Sequence, residues 1–320
     1  MNRAIVTGSS GFIGRHVARR LADSGWVVAG VGHNQWASRE WGDWGLSHWL
    51  TATVTEESLE ALAGASGEPD LIVHCAGSGS VPFSIEHPRQ DFERTVVSTS
   101  DVLEFARGRE GRARVVYPSS QAVYGTAESL PIREDAPLRP ESPYGEHKLM
   151  AERLCRLYAR TWGVPSVIVR FFSVYGAGLR KQLLWDACRK AEDGRFEFFG
   201  TGEELRDWLH VEDASALLEL AAERAGISCP VVNGGAGEGR TTAQILSSLG
   251  AKLPDRPTPR FSGSGRAGDP SRFTACTERL RSWGFEPSIA LDEGLGAYAR
   301  WFTAERGAGR AVPSVTGRTP

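Results

Sequence analysis

Two residues four positions apart, Tyr144 and Lys148, carry side chains that can move protons. On a helix, residues i and i+4 share a face, so the Lys148 ammonium can lie beside the Tyr144 phenol. A phenol has a pKa of about 10 and is a poor base at neutral pH. A fixed neighbouring cation lowers that pKa and favours the phenolate. The spacing therefore indicates acid–base chemistry, although a surface Tyr–Lys pair without chemistry would show the same pattern.

A third candidate, Ser120, lies in the stretch 117–125, at the end of a predicted strand. The α/β folds place ligand contacts at the carboxyl ends of their strands. There, the Ser120 hydroxyl could donate a hydrogen bond to a substrate hydroxyl or carbonyl. An ordinary strand–turn junction is the alternative for this serine.

A glycine-rich segment near the amino terminus has the spacing G-x-x-G-x-x-G at Gly8, Gly11 and Gly14. It follows a predicted strand and opens a predicted helix. Gly8 permits a tight turn, Gly11 lets the backbone approach a pyrophosphate, and Gly14 lets the helix pack close to the strand. The helix amino terminus then offers free N–H groups and a positive dipole. In this context the segment predicts a dinucleotide site.

The end of the second predicted strand bears on which dinucleotide binds. A carboxylate there would bond the adenosine ribose hydroxyls and favour NAD. This sequence has Gly32, His33 and Asn34 instead, with Arg39 further on. Because His33 or Arg39 could pair with a 2′-phosphate, we favour NADP over NAD. The alternatives are an irregular loop that accepts either cofactor, and a return of Asp43 to the ribose.

Strand and helix patterns alternate through the first half of the chain and predict an α/β fold. Short apolar runs give predicted strands over 3–7, 26–31, 70–75, 114–117 and 167–170. Helical patterns separate them, the longest over 143–162. Near-continuous apolar strands between helices indicate a Rossmann-type, doubly wound parallel sheet covered on both faces.

The domain boundaries follow from where this alternation weakens. We predict a dinucleotide-binding domain over 1–172, to which 211–235 returns. Residues 173–210 and 236–306 form a smaller C-terminal α/β substrate-binding lid, and 307–320 lack periodicity and are predicted to be a disordered tail.

Composition narrows the class of protein. The chain has 320 residues, 37 Lys+Arg against 39 Asp+Glu, and a net charge of −2, which gives no global case for binding nucleic acid or an anionic membrane. No apolar stretch is long enough for a transmembrane helix, and no signal peptide is visible. The five cysteines lack C-x-x-C spacing, so neither a disulfide framework nor a metal site is expected, and free buried thiols in a reducing cytoplasm are favoured.

Taken together, the motifs resemble those of the extended short-chain dehydrogenase/reductases, in the nucleotide-sugar epimerase/dehydratase family, and are similar to UDP-glucose/galactose 4-epimerases. The matching segments occur in family order and span nearly the whole chain: TGSSGFIG (7–14), HCAG (74–77), SSQAVYG (119–125), SPYGEHK (142–148), RFFSVYG (170–176), RDWLHVED (206–213), RAGDPSRF (266–273) and WGFEP (283–287).

The resemblance implies a role for each matching residue. Tyr144 would be the acid/base, Lys148 would tune it and hold the nicotinamide ribose, and Ser120 would polarise the reacting C–O bond. Arg206 and Arg266 would clamp a substrate diphosphate. The full set of expected cofactor contacts is Gly8, Ser10, Gly11, Phe12, Ile13, Gly14, Gly32, His33, Arg39, Cys75, Ala76, Gly77, Ser119, Tyr144, Lys148, Phe171 and Val174. The expected substrate contacts are Ser78, Ser120, Gln121, Ser173, Arg180, Arg206, Arg266 and Asp269.

Several positions depart from the family pattern. The 4,6-dehydratases of the family carry Asp-Glu where this chain has Gln121 and Ala122, so 4,6-dehydration is disfavoured. The reductases with built-in 3,5-epimerisation have Cys in place of Ala122. The usual Asn that helps hold substrate phosphate is Ser173 here, and the usual Asn of the helix after the fourth strand is Thr95, so we expect the pocket to bind its ligands differently.

What remains is hydride chemistry at one carbon. We expect a nucleotide-sugar 4-epimerase that works through a transient 4-keto sugar. The alternatives are an NADPH-dependent 4-keto-sugar nucleotide reductase, another dehydratase, or a non-catalytic dinucleotide sensor. A homodimer and a cytoplasmic location are the family-based expectations.

Overall fold

The chain forms two compact units in a computed structural model that describes residues 2–33, 36, 40–263 and 272–310. The sheet unit spans Met1–Val174, Leu205–Gly239 and Pro270–Ser288. The small unit spans Tyr175–Glu204, Arg240–Asp269 and Ile289–Pro320.

Seven parallel strands make the central sheet of the sheet unit. In chain order the strands of the protein are β1 (Arg3–Thr7), β2 (Val27–Gly32), β3 (Leu46–Thr51), β4 (Leu71–His74), β5 (Arg114–Ser120), β6 (Ser166–Phe171), β7 (Ser173–Tyr175), β8 (Glu197–Phe198), β9 (Leu205–His210), β10 (Val231–Gly234), β11 (Gly239–Thr241) and β12 (Arg260–Phe261). The sheet order is β10-β6-β5-β4-β1-β2-β3, and every pairing is parallel. The order reverses at β1 and β4, which is the topological switch point of a Rossmann fold. The predicted fold class is confirmed.

The helices follow the chain in this order: α1 (Phe12–Asp23), α2 (Glu40–Asp43), α3 (Glu56–Ser66), α4 (Val81–Glu86), α5 (Pro88–Phe92), α6 (Ser98–Arg107), α7 (Pro143–Trp162), α8 (Gln182–Glu192), α9 (Val211–Arg224), α10 (Thr242–Gly250), α11 (Glu278–Ser282) and α12 (Leu291–Arg310). A π-helical turn (Glu93–Val97) joins α5 to α6, and a 3₁₀ turn (Gln121–Val123) follows β5.

Two apolar cores, one on each face, hold the sheet. On one face, Val17 and Leu21 of α1 pack with Leu217 and Leu218 of α9. The other face is covered by α3, α6 and α7. Successive strand residues alternate between the cores, as with Ile5 in the second and Val6 in the first, because side chains on a strand point to opposite faces.

The long helix α7 begins and ends where the sequence predicts. Ser142 caps it by accepting a hydrogen bond from the Gly145 amide at 3.2 Å, and Pro143 occupies the first turn. Gly163 ends it in a left-handed conformation, at φ 70°. The tail prediction differs from the structure at its start, since α12 continues to Arg310. The predicted domain boundaries also differ from the units, because Pro270–Ser288 lie in the sheet unit.

Candidate active site

The turn between β1 and α1 requires glycine for steric reasons. Gly8 has φ of +65°, and a Cβ there would lie 2.7 Å from the Ala76 amide nitrogen. A Cβ on Gly14 would lie 2.3 Å from the Gly8 carbonyl oxygen. Both positions therefore let backbone segments approach each other more closely than any side chain allows.

The amino terminus of α1 is suited to an anion. Gly11 is its N-cap and supplies no side-chain acceptor, and the first turn contains no acidic residue. The first amides of the helix and its positive dipole end are therefore not neutralised by a side chain of that turn. Ser10 is buried beside this turn, and Phe12 and Ile13 are half-buried. These features fit the pyrophosphate of a dinucleotide.

A buried hydrogen-bond relay connects this turn to the end of β4. The Ala76 amide donates to Thr7 Oγ1 at 3.1 Å, and Thr7 Oγ1 lies 2.7 Å from His74 Nδ1. His74 Nε2 lies 3.3 Å from the Ser98 hydroxyl, which donates to the Arg94 carbonyl at 2.6 Å. The pattern is self-consistent if Thr7 donates to Nδ1 and Nε2–H donates to Ser98. Burial lowers the pKa of His74 to about 3, helped by the Lys148 charge, so the ring is neutral.

The relay fixes the segment after β4, where the sequence predicts cofactor contacts. Cys75 and Ala76 are half-buried, and Gly77 is exposed. Burial raises the pKa of the Cys75 thiol to about 12, so it is not a nucleophile at neutral pH. All five cysteines are free, as expected, and the other four are buried.

The end of β2 lies against the same turn. Gly32 is buried, and a Cβ there would lie 3.3 Å from Ser10 Oγ. His33 is exposed, whereas Arg39 and Asn34 lie outside the described residues. Two tryptophans after β2 lie near Arg15 of α1, whose guanidinium carbon is 5.1 Å from the centre of the Trp36 ring and 5.2 Å from the centre of the Trp44 ring.

The Ser120 hydroxyl lies close enough to the Tyr144 phenol to lower the pKa of that phenol. Ser120 is the last residue of β5, and its Oγ accepts from the Ala122 amide at 3.2 Å. Tyr144 is in the first turn of α7, and its own amide donates to Ser84 Oγ at 3.0 Å. The end of a strand thus holds the Ser120 hydroxyl, and the start of a helix holds the backbone of Tyr144.

Lys148 lies one helical turn after Tyr144 and is only 7% exposed. Its ammonium donates to the Pro118 carbonyl at 2.9 Å and lies 4.9 Å from the centre of the Tyr117 ring. A Cβ on Gly77 would lie 4.0 Å from Lys148 Nζ, so Lys148 reaches the segment after β4. Burial lowers the pKa of Lys148 to about 8, and it remains mostly charged at neutral pH.

The electrostatics of Tyr144 differ from the sequence-based expectation. Burial raises the pKa of the Tyr144 phenol, the Ser120 hydroxyl lowers it, and the Asp91 carboxylate raises it further. The expected lowering by a fixed cation is therefore wrong for the protein's own groups, because burial outweighs them. The phenol is neutral at physiological pH in the absence of further positive charge.

The neighbouring Ser119 has another function. Adjacent strand residues point to opposite faces, and Ser119 donates a 2.7 Å hydrogen bond to Glu152 on α7. Glu152 also accepts two hydrogen bonds from Arg170, at 2.9 and 2.7 Å, and one from Arg156 at 3.0 Å. This buried network binds α7 to β5 and β6, so the Ser119 hydroxyl points away from Ser120 and into the core.

The predicted substrate residues and the remaining predicted cofactor residues differ in burial and in the unit to which they belong. Gln121, Ser78, Ser173 and Val174 are half-buried, and Phe171 is buried beside Ser120 on the adjacent strand. Arg206 donates to the Leu205 carbonyl at 2.9 Å and stacks on Phe273. Arg180 belongs to the small unit and forms an ion pair with Glu305 at 2.6 Å. Arg266 and Asp269 lie outside the described residues.

Sequence reasoning missed three groups beside the Tyr144–Lys148 pair. Ser84 holds the Tyr144 amide, and the fully buried Asp91 binds His147 at 2.5 Å. His147 was visible in the motif, but its partner is 56 positions away. Among the described residues, no group of three His, Cys, Asp or Glu side chains could hold a metal ion, and no helix could span a membrane.

Comparison with known proteins decides the family. The model of the NAD dependent epimerase/dehydratase family matches residues 4–233. The chain belongs to this family. Members of the NAD dependent epimerase/dehydratase family are enzymes, and so is this protein. The resemblance inferred from the motifs is confirmed.

Individual members of the epimerase/dehydratase family align along nearly the whole chain. The UDP-glucose 4-epimerase of Azospirillum brasilense is 32% identical over 308 residues, which cover 87% of this chain and 85% of that protein. The structure of a UDP-glucose 4-epimerase from Thermotoga maritima with UDP-glucose aligns with a TM-score of 0.86 at 25% identity, over 95% of this chain and 99% of that one. The structure of the Brucella ovis UDP-glucose 4-epimerase in complex with NAD aligns with a TM-score of 0.83 at 26% identity, over 94% of this chain and 98% of that one.

Proposed function

We propose that the protein is a nucleotide-sugar 4-epimerase that uses NAD and acts through a transient 4-keto sugar. The observation that carries this proposal is the proximity of the Ser120 hydroxyl to the Tyr144 phenol, one helical turn from the buried ammonium of Lys148. Relatives named as UDP-glucose 4-epimerases support a UDP-hexose as the substrate class.

The residues that would hold the dinucleotide are those of the glycine-rich turn, the end of β2 and the segment after β4. The α1 amino terminus would bind its pyrophosphate, and Lys148 would bond the nicotinamide ribose. When bound, NAD supplies a hydride acceptor and donor at the reacting carbon.

Tyr144 would move the proton. Its phenolate takes the proton of the sugar 4-hydroxyl as that carbon is oxidised, and the resulting phenol returns the proton when the opposite face of the 4-keto sugar is reduced. Ser120 donates to the C4 oxygen and keeps it within reach of Tyr144. The Lys148 ammonium favours the phenolate and so opposes the effect of burial on the pKa of Tyr144.

The positions after Ser120 support epimerisation over dehydration. Gln121 and Ala122 have no carboxyl or thiol group, so they cannot transfer a proton to C5 or C6 at neutral pH. The chemistry is then confined to C4. The reductase alternative rests only on the missing carboxylate after β2.

We propose NAD as the cofactor because relatives that bind it, such as the Brucella ovis enzyme, support it. The sequence-based preference for NADP depends on His33 and Arg39, and only His33, an exposed residue, is described. The substrate diphosphate would be bound by Arg206 and Arg266.

We also propose a cytoplasmic homodimer formed through α6 and α7. Exposed apolar side chains support the dimer. Val97, just before α6, is 42% exposed, and Met150 on α7 is 37% exposed. Sedimentation velocity tests this proposal, and a single species of monomer mass would contradict it.

The experiment that tests the function combines cofactor identification with substrate conversion. The protein is denatured, its released cofactor is identified by mass, and UDP-, GDP-, dTDP- and CDP-hexoses are then followed by proton NMR. We expect NAD and a mixture of two C4 stereoisomers from a UDP-hexose without net consumption of cofactor. Stoichiometric oxidation of NADPH by a 4-keto sugar would indicate the reductase instead. Cofactor binding without turnover of any sugar would indicate a sensor.

A further inference from the structure

One buried carboxylate beside the Tyr144–Lys148 pair has no role in the reaction described above. Asp91 on α5 is 0% exposed. One of its oxygens, Oδ2, lies 2.5 Å from His147 Nδ1 on α7. The other, Oδ1, is buried and accepts no hydrogen bond from any residue that the structure describes. Carboxylate oxygens inside proteins are normally paired, so an exception requires an explanation.

The charge of Asp91 acts on both functional groups of α7. It raises the pKa of Lys148, opposing the larger effect of burial. It also raises the pKa of Tyr144, adding to the effect of burial. A single carboxylate therefore favours the ammonium form of the lysine and the neutral form of the phenol.

The other carboxylate near Lys148 is already compensated. Glu152 is paired with the guanidinium groups of Arg170 and Arg156. Asp91 has His147 as its only hydrogen-bonding partner among the described side chains. Asp91 is consequently the less neutralised of the two negative charges near Lys148.

Other charged groups on the elements that pack against α5 are turned to solvent or paired elsewhere. Glu86 and His87 at the end of α4 are exposed, as is Glu146 on α7. Arg89 and Glu93 pair with each other, and Arg94 lies over the Phe83 ring. His147 of α7 contacts Asp91, and Tyr144 and Lys148 of α7 are the groups whose pKa values the Asp91 charge raises.

We propose that Asp91, held by His147, is a positioning residue for the reaction: it keeps Lys148 as an ammonium ion and makes Tyr144 basic enough to take back the proton that it gives. The proposal rests on the proposed function in one respect, the role of Tyr144 as reversible acid and base. An acid that also acts as base needs a proton affinity between those of its two tasks. The Lys148 ammonium favours the phenolate, whereas burial and the Asp91 charge favour the neutral phenol, so Asp91 opposes the effect of Lys148 on Tyr144.

The test uses Asp91→Asn, which keeps the shape of the side chain and removes its charge. The first measurement is the titration of Lys148 by NMR of the holoenzyme labelled with ¹³Cε-lysine, assigned with Lys148→Arg. We expect the Lys148 titration to move about one pH unit lower in Asp91→Asn. The second measurement is the pH profile of kcat/KM, whose acidic and alkaline limbs should both move to lower pH.

His147→Leu supplies the opposing variant. Without the ring N–H, no side-chain hydrogen bond weakens the effect of the Asp91 charge on Lys148. The pKa of Lys148 should therefore be higher than in the wild type. A purely structural Asp91–His147 contact would affect both variants in the same direction. The proposal is overturned if Lys148 titrates unchanged in Asp91→Asn, or at lower pH in both variants. If one variant does not fold, the direction of the shift in the other decides.

Glu212→Gln is the matched control, because Glu212 also binds a histidine, His16, with an oxygen–nitrogen distance of 2.7 Å. It should leave the Lys148 titration unchanged. The NMR titration requires no turnover, so it separates the two proposals. An inactive wild-type enzyme with the expected Lys148 shifts would contradict the proposed function and leave the role of Asp91 intact.

Discussion

The sheet unit buries two carboxylates near Lys148, and their surroundings differ. Glu152 is bonded by Arg170, Arg156 and Ser119, and both of its oxygens are paired. Asp91 has one oxygen on His147 and one with no described partner. Both residues are 0% exposed, so burial alone does not separate them.

The difference indicates separate purposes for the two carboxylates. A fully paired buried charge joins elements, here α7 to the ends of β5 and β6, and its partners weaken its effect on other groups. A half-paired charge keeps a field that reaches its neighbours. We infer that the Glu152 network determines where α7 lies, whereas Asp91 determines how the groups on α7 titrate. Four predictions test this division.

The largest expected effect is on turnover, in Tyr144→Phe. Loss of the hydroxyl removes the acid/base group, and kcat should fall by about 100- to 10,000-fold. Because the Glu152 network remains intact, the melting temperature and the cofactor affinity should stay near wild type. Turnover assays, thermal denaturation and a cofactor titration measure these quantities. Normal turnover in Tyr144→Phe would disprove the catalytic assignment.

Glu152→Ala should lower the stability of the protein, which Tyr144→Phe should leave unchanged. It leaves the Arg170 guanidinium buried without its carboxylate, which destabilises a protein by about 3–5 kcal/mol. Urea denaturation monitored by circular dichroism measures the loss. The control is Glu60→Ala. The Glu60 side chain is 53% exposed, and its ion pair with Arg109 should contribute about 0–1 kcal/mol to the free energy of unfolding. Equal losses of unfolding free energy in the two variants would mean that the buried network stabilises the protein no more than an exposed ion pair does.

His74→Gln should change the pH dependence of stability. The pKa of His74 is lowered from 6.5 to about 3 in the folded protein, so its contribution is fully present above pH 6.5 and is lost as the pH falls toward 3. At pH 5 this loss amounts to about 2 kcal/mol. Glutamine keeps an acceptor for Thr7 and a donor for Ser98 but does not titrate. Urea denaturation at pH 5 and pH 8 should therefore show a flatter dependence in the variant, and identical slopes would refute the neutral relay.

The smallest effect is expected on α5 itself, in Arg89→Ala. The Arg89–Glu93 pair is almost fully exposed on its arginine side, and such i,i+4 pairs contribute about 0.3–0.5 kcal/mol. Stability and the pH profile of kcat/KM should both stay close to wild type. A shifted pH profile would show that even an exposed charge on α5 changes the titration of Tyr144 and Lys148. The inferred difference in role between Asp91 and Glu152 would then be wrong.

Local sequence patterns predicted most of the sheet unit. The β1–α1–β2 segment was visible because apolar runs, helical spacing and glycines agree with one another within 32 residues. α7 was predicted to the residue because Ser142, Pro143 and Gly163 mark its ends. Ser120, Tyr144 and Lys148 were found because their spacing on a strand end and a helix is itself a signal.

Groups joined only by the fold were not predicted. No local pattern connects Asp91 with His147, because their pairing depends on how α5 packs against α7. The raised pKa of Tyr144 was also missed, since burial cannot be read from a Y-x-x-x-K spacing. Ser119 was expected to contact the cofactor, and only the folded structure reveals that its hydroxyl points to Glu152.

The pairing of α1 with α9 has a consequence for synthesis on the ribosome. His16 and Arg20 of α1 bind Glu212 and Glu219 of α9, which are 196 and 199 positions later in the chain. At about 5–20 residues per second, α1 emerges roughly 10–40 seconds before the helix that covers its apolar face. Val17 and Leu21, fully buried in the finished protein, are uncovered during that interval. A nascent chain stalled before α9 should therefore recruit hydrophobic-binding chaperones through its first helix, and release them once α9 has been made.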